Sequence, residues 1–476
     1  MKQSSHSQPK WVNKLVLVFL VIFTAILYLN LGRDSLFDWD EGIYAELGRQ
    51  LLLTKNLFVT SWNGSPWFEK PPGIAWLSGL GQLFAGHSSL GARLFQPAVA
   101  SSVLYLVFLI GNKLKSWRTG ILAAAILATF NLFLGRTRAV NTDMPLLLGI
   151  TATVAALLYN KKPLVIALII AFSVWFKGLA GLLPVIIAFP LLMTKSKKYL
   201  LDFAISSGVF ILPWHLFMYF GYGETFLTPY FREQVLARAT NPIEFHLESR
   251  WFYFKYLYEN LGLGVLLVAG IGALLSLKSK KYFPVWWVLI PLALFTLAKT
   301  RLFWYILPVY PALALLTAYA IDSFSVNKTA KKIITVIALG VCLQSLTIAW
   351  RSVEPQKKSV IPPDRISLVI GLSESTNQEL FVLVPKTERT AEAILPLNQR
   401  ISSSFRYGGM PSIVYYYQGP VKFFYNVDEF NASFTNTADP VAMVHRSDLS
   451  LITSRYKILE ESGEYLGISK GLYAQR

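Results

Sequence analysis

The chain has 476 residues, of which 54% are hydrophobic, 14% aromatic and only 15% charged, and its formal net charge is +18. That balance excludes an ordinary soluble globular domain and describes a protein whose solvent is largely lipid. Its Lys and Arg residues fall in short clusters between apolar runs, as in cytoplasmic loops under the positive-inside rule, so the basicity reads as membrane topology, with no nucleic-acid partner.

Taken in chain order, apolar segments occur at roughly 15–31, 91–110, 120–134, 144–159, 164–176, 179–194, 200–220, 260–277, 283–298, 304–321 and 333–350, about eleven candidate spans. The first, "LVLVFLVIFTAILYLNL", is long enough to cross a bilayer and has no small-residue cleavage pattern after it, so it is expected to remain as an anchor. The loop that follows, at about 32–90, opens with "DSLFDWDEGIYAELGRQ", which crowds Asp34, Asp38, Asp40, Glu41 and Glu46 together. Asp38 and Glu41 have the spacing of a capping box before a helix whose apolar residues 43, 44, 47 and 51 would lie on the membrane. One cap does not require both Asp40 and Glu41.

Only Lys177 and Gly178 separate the segments at 164–176 and 179–194. Counting them as two spans places every basic cluster, from Lys2, Lys10 and Lys14 to Lys328, Lys331 and Lys332, on one side of the membrane. The amino terminus is then cytoplasmic, and the tail from about Arg351 to Arg476 shares the outer face with the acidic loop. Within that tail "ELFVLV", "SIVYYY", "VKFFYN" and "YKILEE" read as short strands between turn signals, so a small extracytoplasmic α/β domain is expected, serving acceptor choice. Cys342 lies inside an apolar run and reads as packing.

Several cations break the topological bias by falling on the outer side: Lys70 in "WFEKPPG", Arg136 and Arg138 in "LGRTRAVNTDMP", Lys177 in "WFKGLAG", and Lys299 and Arg301 in "LAKTRLFWYILPVYP". An unpaired cation near the bilayer costs about 3 kcal/mol on the mildest scale, and an anionic lipid head group would supply the partner. Asp143, with Pro145 two residues on, reads equally as a helix cap or as a functional acid. Carboxylates facing cations suit group transfer from a phosphate, which needs a base for the acceptor proton and positive charge for the departing phosphate. A glycosidase needs a second carboxylic acid to protonate its leaving group. A multispan lipid or sugar transporter or flippase is the alternative; it should show paired repeats, and the sequence has none.

The stretches "DWDEGIYAELGRQLL", "SWNGSPWFEKPPGIAWL", "RTRAVNTDMPLLL", "FKGLAGLLP" and "FWYILPVYPALALL" resemble, in order, the signature stretches of bacterial membrane glycosyltransferases related to protein O-mannosyltransferases and to the aminoarabinose transferase that modifies lipid A. The resemblance covers roughly residues 15–350. It implies a polytopic α-helical GT-C fold over 1–350, followed by the α/β domain at 351–476, in an integral protein of the bacterial inner membrane. It further implies transfer of a sugar, with inversion, from a polyprenyl-phosphate-linked donor to a lipid or protein acceptor on the extracytoplasmic face. Asp40 then matches the catalytic acid of the first outer loop, with Glu41 beside it, and Asp143 the acid of the second. Lys70 matches the lysine that contacts the lipid phosphate, and Arg138, Lys177 and Arg301 are further candidates for that charge. Glu69 matches a residue that takes part in metal binding in the aminoarabinose enzymes. The chain departs from those enzymes at Ile43, where they carry arginine, and in its fourth outer loop, where His246 is the one histidine, so Glu69 and His246 are the candidates for a divalent metal ion. His215, in "LPWHLF", reads as a packed histidine of the aromatic belt.

Overall fold

The computed structural model describes residues 9–243, 248–354, 364–389 and 404–471. The chain forms two compact units. One comprises Met1–Asn30, Phe95–Glu224 and His246–Glu354, and the other Leu31–Leu94, Thr225–Phe245 and Pro355–Arg476.

The first unit is helical. Among the described residues of the whole chain, seven helical stretches are long and apolar enough to cross a membrane: Lys10–Tyr28, Ser89–Leu114, Pro163–Ile187, Lys197–Thr240, Phe252–Lys278, Phe303–Ser323 and Lys328–Val353. Shorter apolar helices occupy Trp117–Leu127, Asp143–Leu158 and Phe283–Leu297. The chain is therefore a polytopic helical membrane protein, and each of the eleven apolar segments lies on helix. The stretch Pro163–Ile187 is interrupted. Gly178 has φ +57°, and a β-carbon at Gly181 would lie 2.4 Å from the backbone of Ser173, so the chain doubles back directly after Lys177. A side chain at either glycine would oppose this turn.

The second unit begins with the helix Asp40–Thr54 and a hairpin of β1 (Ser61–Trp62) and β2 (Ser65–Pro66), closed by Asn63 and Gly64 at φ 50° and 74°. Asn-Gly supplies the two positive φ values that such a turn needs. The helix Gly73–Ala85 follows. A five-stranded sheet in the order β4-β3-β5-β7-β6 is built from β3 (Leu380–Leu383), β4 (Val421–Phe424), β5 (Val441–His445), β6 (Tyr456–Ser462) and β7 (Tyr465–Lys470). β3 runs parallel to β4 and β5, while β7 is antiparallel to β5 and β6. β3 is buried throughout, which suits its unbroken apolar sequence between β4 and β5. Asn426 caps the helix Val427–Asn436 by accepting from the amides of Asp428 and Glu429.

Two local readings are corrected. "SIVYYY" is a helix, Ser412–Tyr417, not a strand; five of its six residues are buried, so it lacks the alternation of a half-covered strand. Asp38 is not a helix cap either. The helix starts at Asp40, its cap position is Trp39 with no side-chain bond, and the Asp38 carboxylate instead accepts from the Arg365 guanidinium and from the amide and hydroxyl of Ser412.

Candidate active site

In the second unit, Asp40 and Glu41 occupy the first turn of the helix Asp40–Thr54, where the helix dipole favours negative charge. Asp40 is half-buried and Glu41 buried. Trp39, directly before them, has φ 67°, a conformation bulky residues adopt only when their surroundings impose it. The Glu41 carboxylate is engaged on both oxygens: Arg93 donates Nε to Oε1 at 2.8 Å and Nη2 to Oε2 at 2.6 Å, and the Phe37 amide adds a bond of 2.9 Å. Arg93 also donates to the carbonyls of Leu31, Asp34 and Ser35, gathering the acidic stretch around one guanidinium. Glu41 is thus tied into the fold of the loop by Arg93 and the Phe37 amide. One turn further along, Glu46 is fully buried and takes a two-pronged bond from Arg49 and one from Gln50; burial pushes its carboxyl up, against the pull of Arg49.

Lys70 is brought to this helix by the Asn-Gly hairpin. Its ammonium donates to the Tyr44 hydroxyl at 2.7 Å and lies over the rings of Tyr44 and Trp67, 5.1 and 5.8 Å from their centroids. Tyr44 follows Asp40 by four residues, so both stand on one helix face. Glu69 accepts from the Tyr407 hydroxyl at 2.6 Å and from Gln234 Nε2 at 2.9 Å. Burial and the adjacent Glu69 raise the Tyr407 phenol well above its ordinary pKa, so it stays a neutral donor.

In the first unit, Asp143 begins the helix Asp143–Leu158 but does not cap it. Asn141 does so, accepting from the Met144 amide at 2.8 Å. Asp143, only 5% exposed, accepts instead from Lys177 on one oxygen and from Arg136 on the other. Arg136 lies over the Trp304 ring at 4.9 Å, and the Lys177 ammonium is 5.7 Å from the centroid of Tyr305. Three separate stretches, "RTRAVNTD", "FKG" and "FWY", therefore converge on one carboxylate held by two cations, which leaves a net positive charge. Of the two arginines in "RTR" it is Arg136 that reaches Asp143, whereas Arg138 donates to the Leu29 carbonyl. The buried Arg301 donates to the carbonyls of Glu248 and Thr296 and so ties its own loop to the stretch before the helix Phe252–Lys278.

His246 lies outside the described residues. Among the described residues no group of three or more His, Cys, Asp and Glu side chains is placed to hold a metal ion. His215 Nδ1 donates to the Ile211 carbonyl at 2.8 Å and the ring packs edge-on to Trp214, as a packed histidine should. Arg93 and Tyr407 are the site residues absent from the sequence reading, which names Arg136 only among the outer cations. Arg93 carried a signal, an arginine just inside an apolar segment.

The profile of the dolichyl-phosphate-mannose-protein mannosyltransferase family matches residues 69–217, which include Glu69, Lys70, Arg136, Asp143 and Lys177. The undecaprenyl phosphate-alpha-4-amino-4-deoxy-L-arabinose arabinosyl transferase 1 of Pseudomonas fluorescens (strain Pf0-1) is 25% identical over 334 residues, 66% of this chain and 58% of that enzyme. A protein of Aquifex aeolicus (strain VF5) is 28% identical over 356 residues, 71% of this chain and 69% of its own. The crystal structure of ArnT from Cupriavidus metallidurans bound to undecaprenyl phosphate superimposes with a TM-score of 0.73 and 16% identity, covering 99% of this chain and 100% of that one. The chain is similar in sequence to these transferases and shares the fold of the ArnT structure. The match spans less than two thirds of the Pseudomonas enzyme. The aromatic partners of Lys70, Arg136 and Lys177 are features that the structure adds.

Proposed function

We propose that the chain is a polyprenyl-phosphate-sugar-dependent glycosyltransferase that moves a sugar to a lipid or protein acceptor on the outer face of the bacterial inner membrane. One observation carries this: the Lys70 ammonium is bonded to Tyr44, one turn from Asp40 on the same helix face, so a phosphate-binding cation and a carboxylate are offered together. Likeness to enzymes that use undecaprenyl-phosphate-linked aminoarabinose supports the donor class.

In the proposed reaction, Asp40 takes the proton of the acceptor hydroxyl while that oxygen attacks the anomeric carbon. The carbon–oxygen bond to the donor breaks, its electron pair leaves with the polyprenyl phosphate, and the anomeric configuration inverts. Lys70 meets the charge that develops on the phosphate. The net positive charge around Asp143 gives Arg136 and Lys177 the capacity to meet an anionic lipid group. Eleven spans, a cytoplasmic amino terminus and an extracytoplasmic sheet complete the reading; labelling of a cysteine near Lys470 only from the cytoplasmic side would overturn the orientation.

The test is transfer from undecaprenyl-phosphate-linked sugars by the purified chain. Asp40→Asn should lower turnover by about 100-fold or more while donor binding persists, because it keeps shape and loses basicity. A folded, donor-binding variant that transfers at the parent rate across the pH range would show the acid to be structural.

A further inference from the structure

Glu69 is the position at which the family resemblance implies a metal ligand, and its surroundings do not fit that part. Both carboxylate oxygens already accept hydrogen bonds, Oε1 from the Tyr407 hydroxyl at 2.6 Å and Oε2 from Gln234 Nε2 at 2.9 Å. Gln234 is fixed in turn, its Oε1 accepting from Arg238 Nε at 3.1 Å. A cation on Glu69 would have to share oxygens already serving two donors, and among the described residues no group of three or more His, Cys, Asp and Glu side chains is placed to complete its shell. It would also need two or three further protein ligands.

What the Glu69 network does reach is the candidate active site. On one side, Trp67 Nε1 donates to the Tyr407 hydroxyl, and the buried Trp67 ring meets Tyr44 edge-on at 6.4 Å; Tyr44 holds the Lys70 ammonium. On the other side, the Tyr407 ring packs edge-on against Trp62 at 4.8 Å and Trp39 at 6.1 Å. Trp39 is the residue before Asp40, and its positive φ is held only if neighbours determine it. One phenol thus bears on both the lysine and the backbone that aims the acid.

We infer that Glu69, Tyr407 and Trp67 form a hydrogen-bonded strut that positions Asp40 and Lys70, and that the strut stands in this chain where the aminoarabinose enzymes bind a metal ion. Tyr407 is then a positioning residue supplied by the carboxy-terminal part of the chain. The inference rests on the roles proposed above for Asp40 and Lys70.

The experiment uses the purified full chain and two near-isosteric variants. Tyr407→Phe keeps the ring and deletes the hydroxyl; it should lower kcat about 10-fold with the donor KM within about 2-fold, since orientation rather than donor affinity is lost. Glu69→Gln keeps an oxygen for Tyr407 and should lower kcat only about 3-fold, whereas a metal ligand would cost about 100-fold. Elemental analysis should find far less than one divalent ion per parent chain, and chelation should leave turnover intact. A stoichiometric ion that is lost in Glu69→Gln would overturn the inference, as would a folded Tyr407→Phe enzyme with parental kcat. If the parent chain transfers no polyprenyl-phosphate-linked sugar, the proposed function fails by itself. The strut is then decided by the metal content and by tryptophan emission, which Tyr407→Phe should shift and Glu69→Gln should not; an unshifted spectrum overturns it.

Discussion

Arg93 and Glu41 form a buried pair with two parallel bonds, and the guanidinium's remaining donors go to three backbone carbonyls of the acidic stretch. Arg93→Ala would leave the Glu41 carboxylate buried without its cation, which costs about 3–5 kcal/mol. Thermal unfolding in detergent should therefore show Arg93→Ala strongly destabilised, and Asp40→Asn, whose carboxylate is only half-buried, close to the parent. Equal melting of Arg93→Ala and parent would show that the loop does not depend on the pair. The contrast also explains what was legible at this scale. The run of acids announced a special loop, but neighbours in sequence do not reveal which acid is engaged, because the answer sits in an arginine 52 residues away. In "RTR" the same limit appears: alternate residues on an irregular backbone point differently, and only the fold selects Arg136 over Arg138.

The helix Ser412–Tyr417 shows how packing overrides propensity in a short element. Its residues favour strands, yet burial on nearly all sides and the left-handed Gln418 at its end, φ 63°, hold one and a half helical turns. It also fixes the end of the helix Gly73–Ala85, since His87 Nε2 lies 3.0 Å from the Tyr415 carbonyl and its ring 4.1 Å from the Tyr415 ring. Burial, helped by the charge of Arg49, lowers the His87 imidazole to about 4, while the bond to Tyr415 opposes the shift. The unfolded chain, with a histidine near the ordinary value of about 6.5, binds more protons between those two limits. This site's contribution to stability is therefore full above about pH 6.5 and is lost as the pH falls toward about 4. The melting temperature of the parent should drop further between pH 7.5 and pH 5 than that of His87→Gln; parallel pH profiles would show that the imidazole is not responsible.

For the whole molecule, the apolar segments were legible because length and hydropathy are local properties, and the turn after Lys177 was legible through charge placement. The grouping of Leu31–Leu94 with Pro355–Arg476 was not, since nothing in either stretch names the other. That grouping changes what the tail is expected to do. Read as a separate domain, it should tune acceptor choice and be removable. In the structure it holds the acid loop together: Arg365 and Ser412 take the Asp38 carboxylate, the Tyr416 hydroxyl accepts from the Leu36 amide at 2.7 Å, and Tyr407 bonds to Glu69. Gly42, one residue past Glu41, packs so closely on the Ser412–Tyr417 helix that a β-carbon there would lie 2.7 Å from the Ser412 Cα. Deleting residues 355–476 should therefore abolish transfer to every acceptor and expose the 31–94 segment to protease, while the apolar helices still insert. Arg365→Ala, which removes one of these ties, should weaken turnover without changing the ranking of acceptors. A truncated chain that still transfers sugar, with altered acceptor preference alone, would restore the tail to an accessory role.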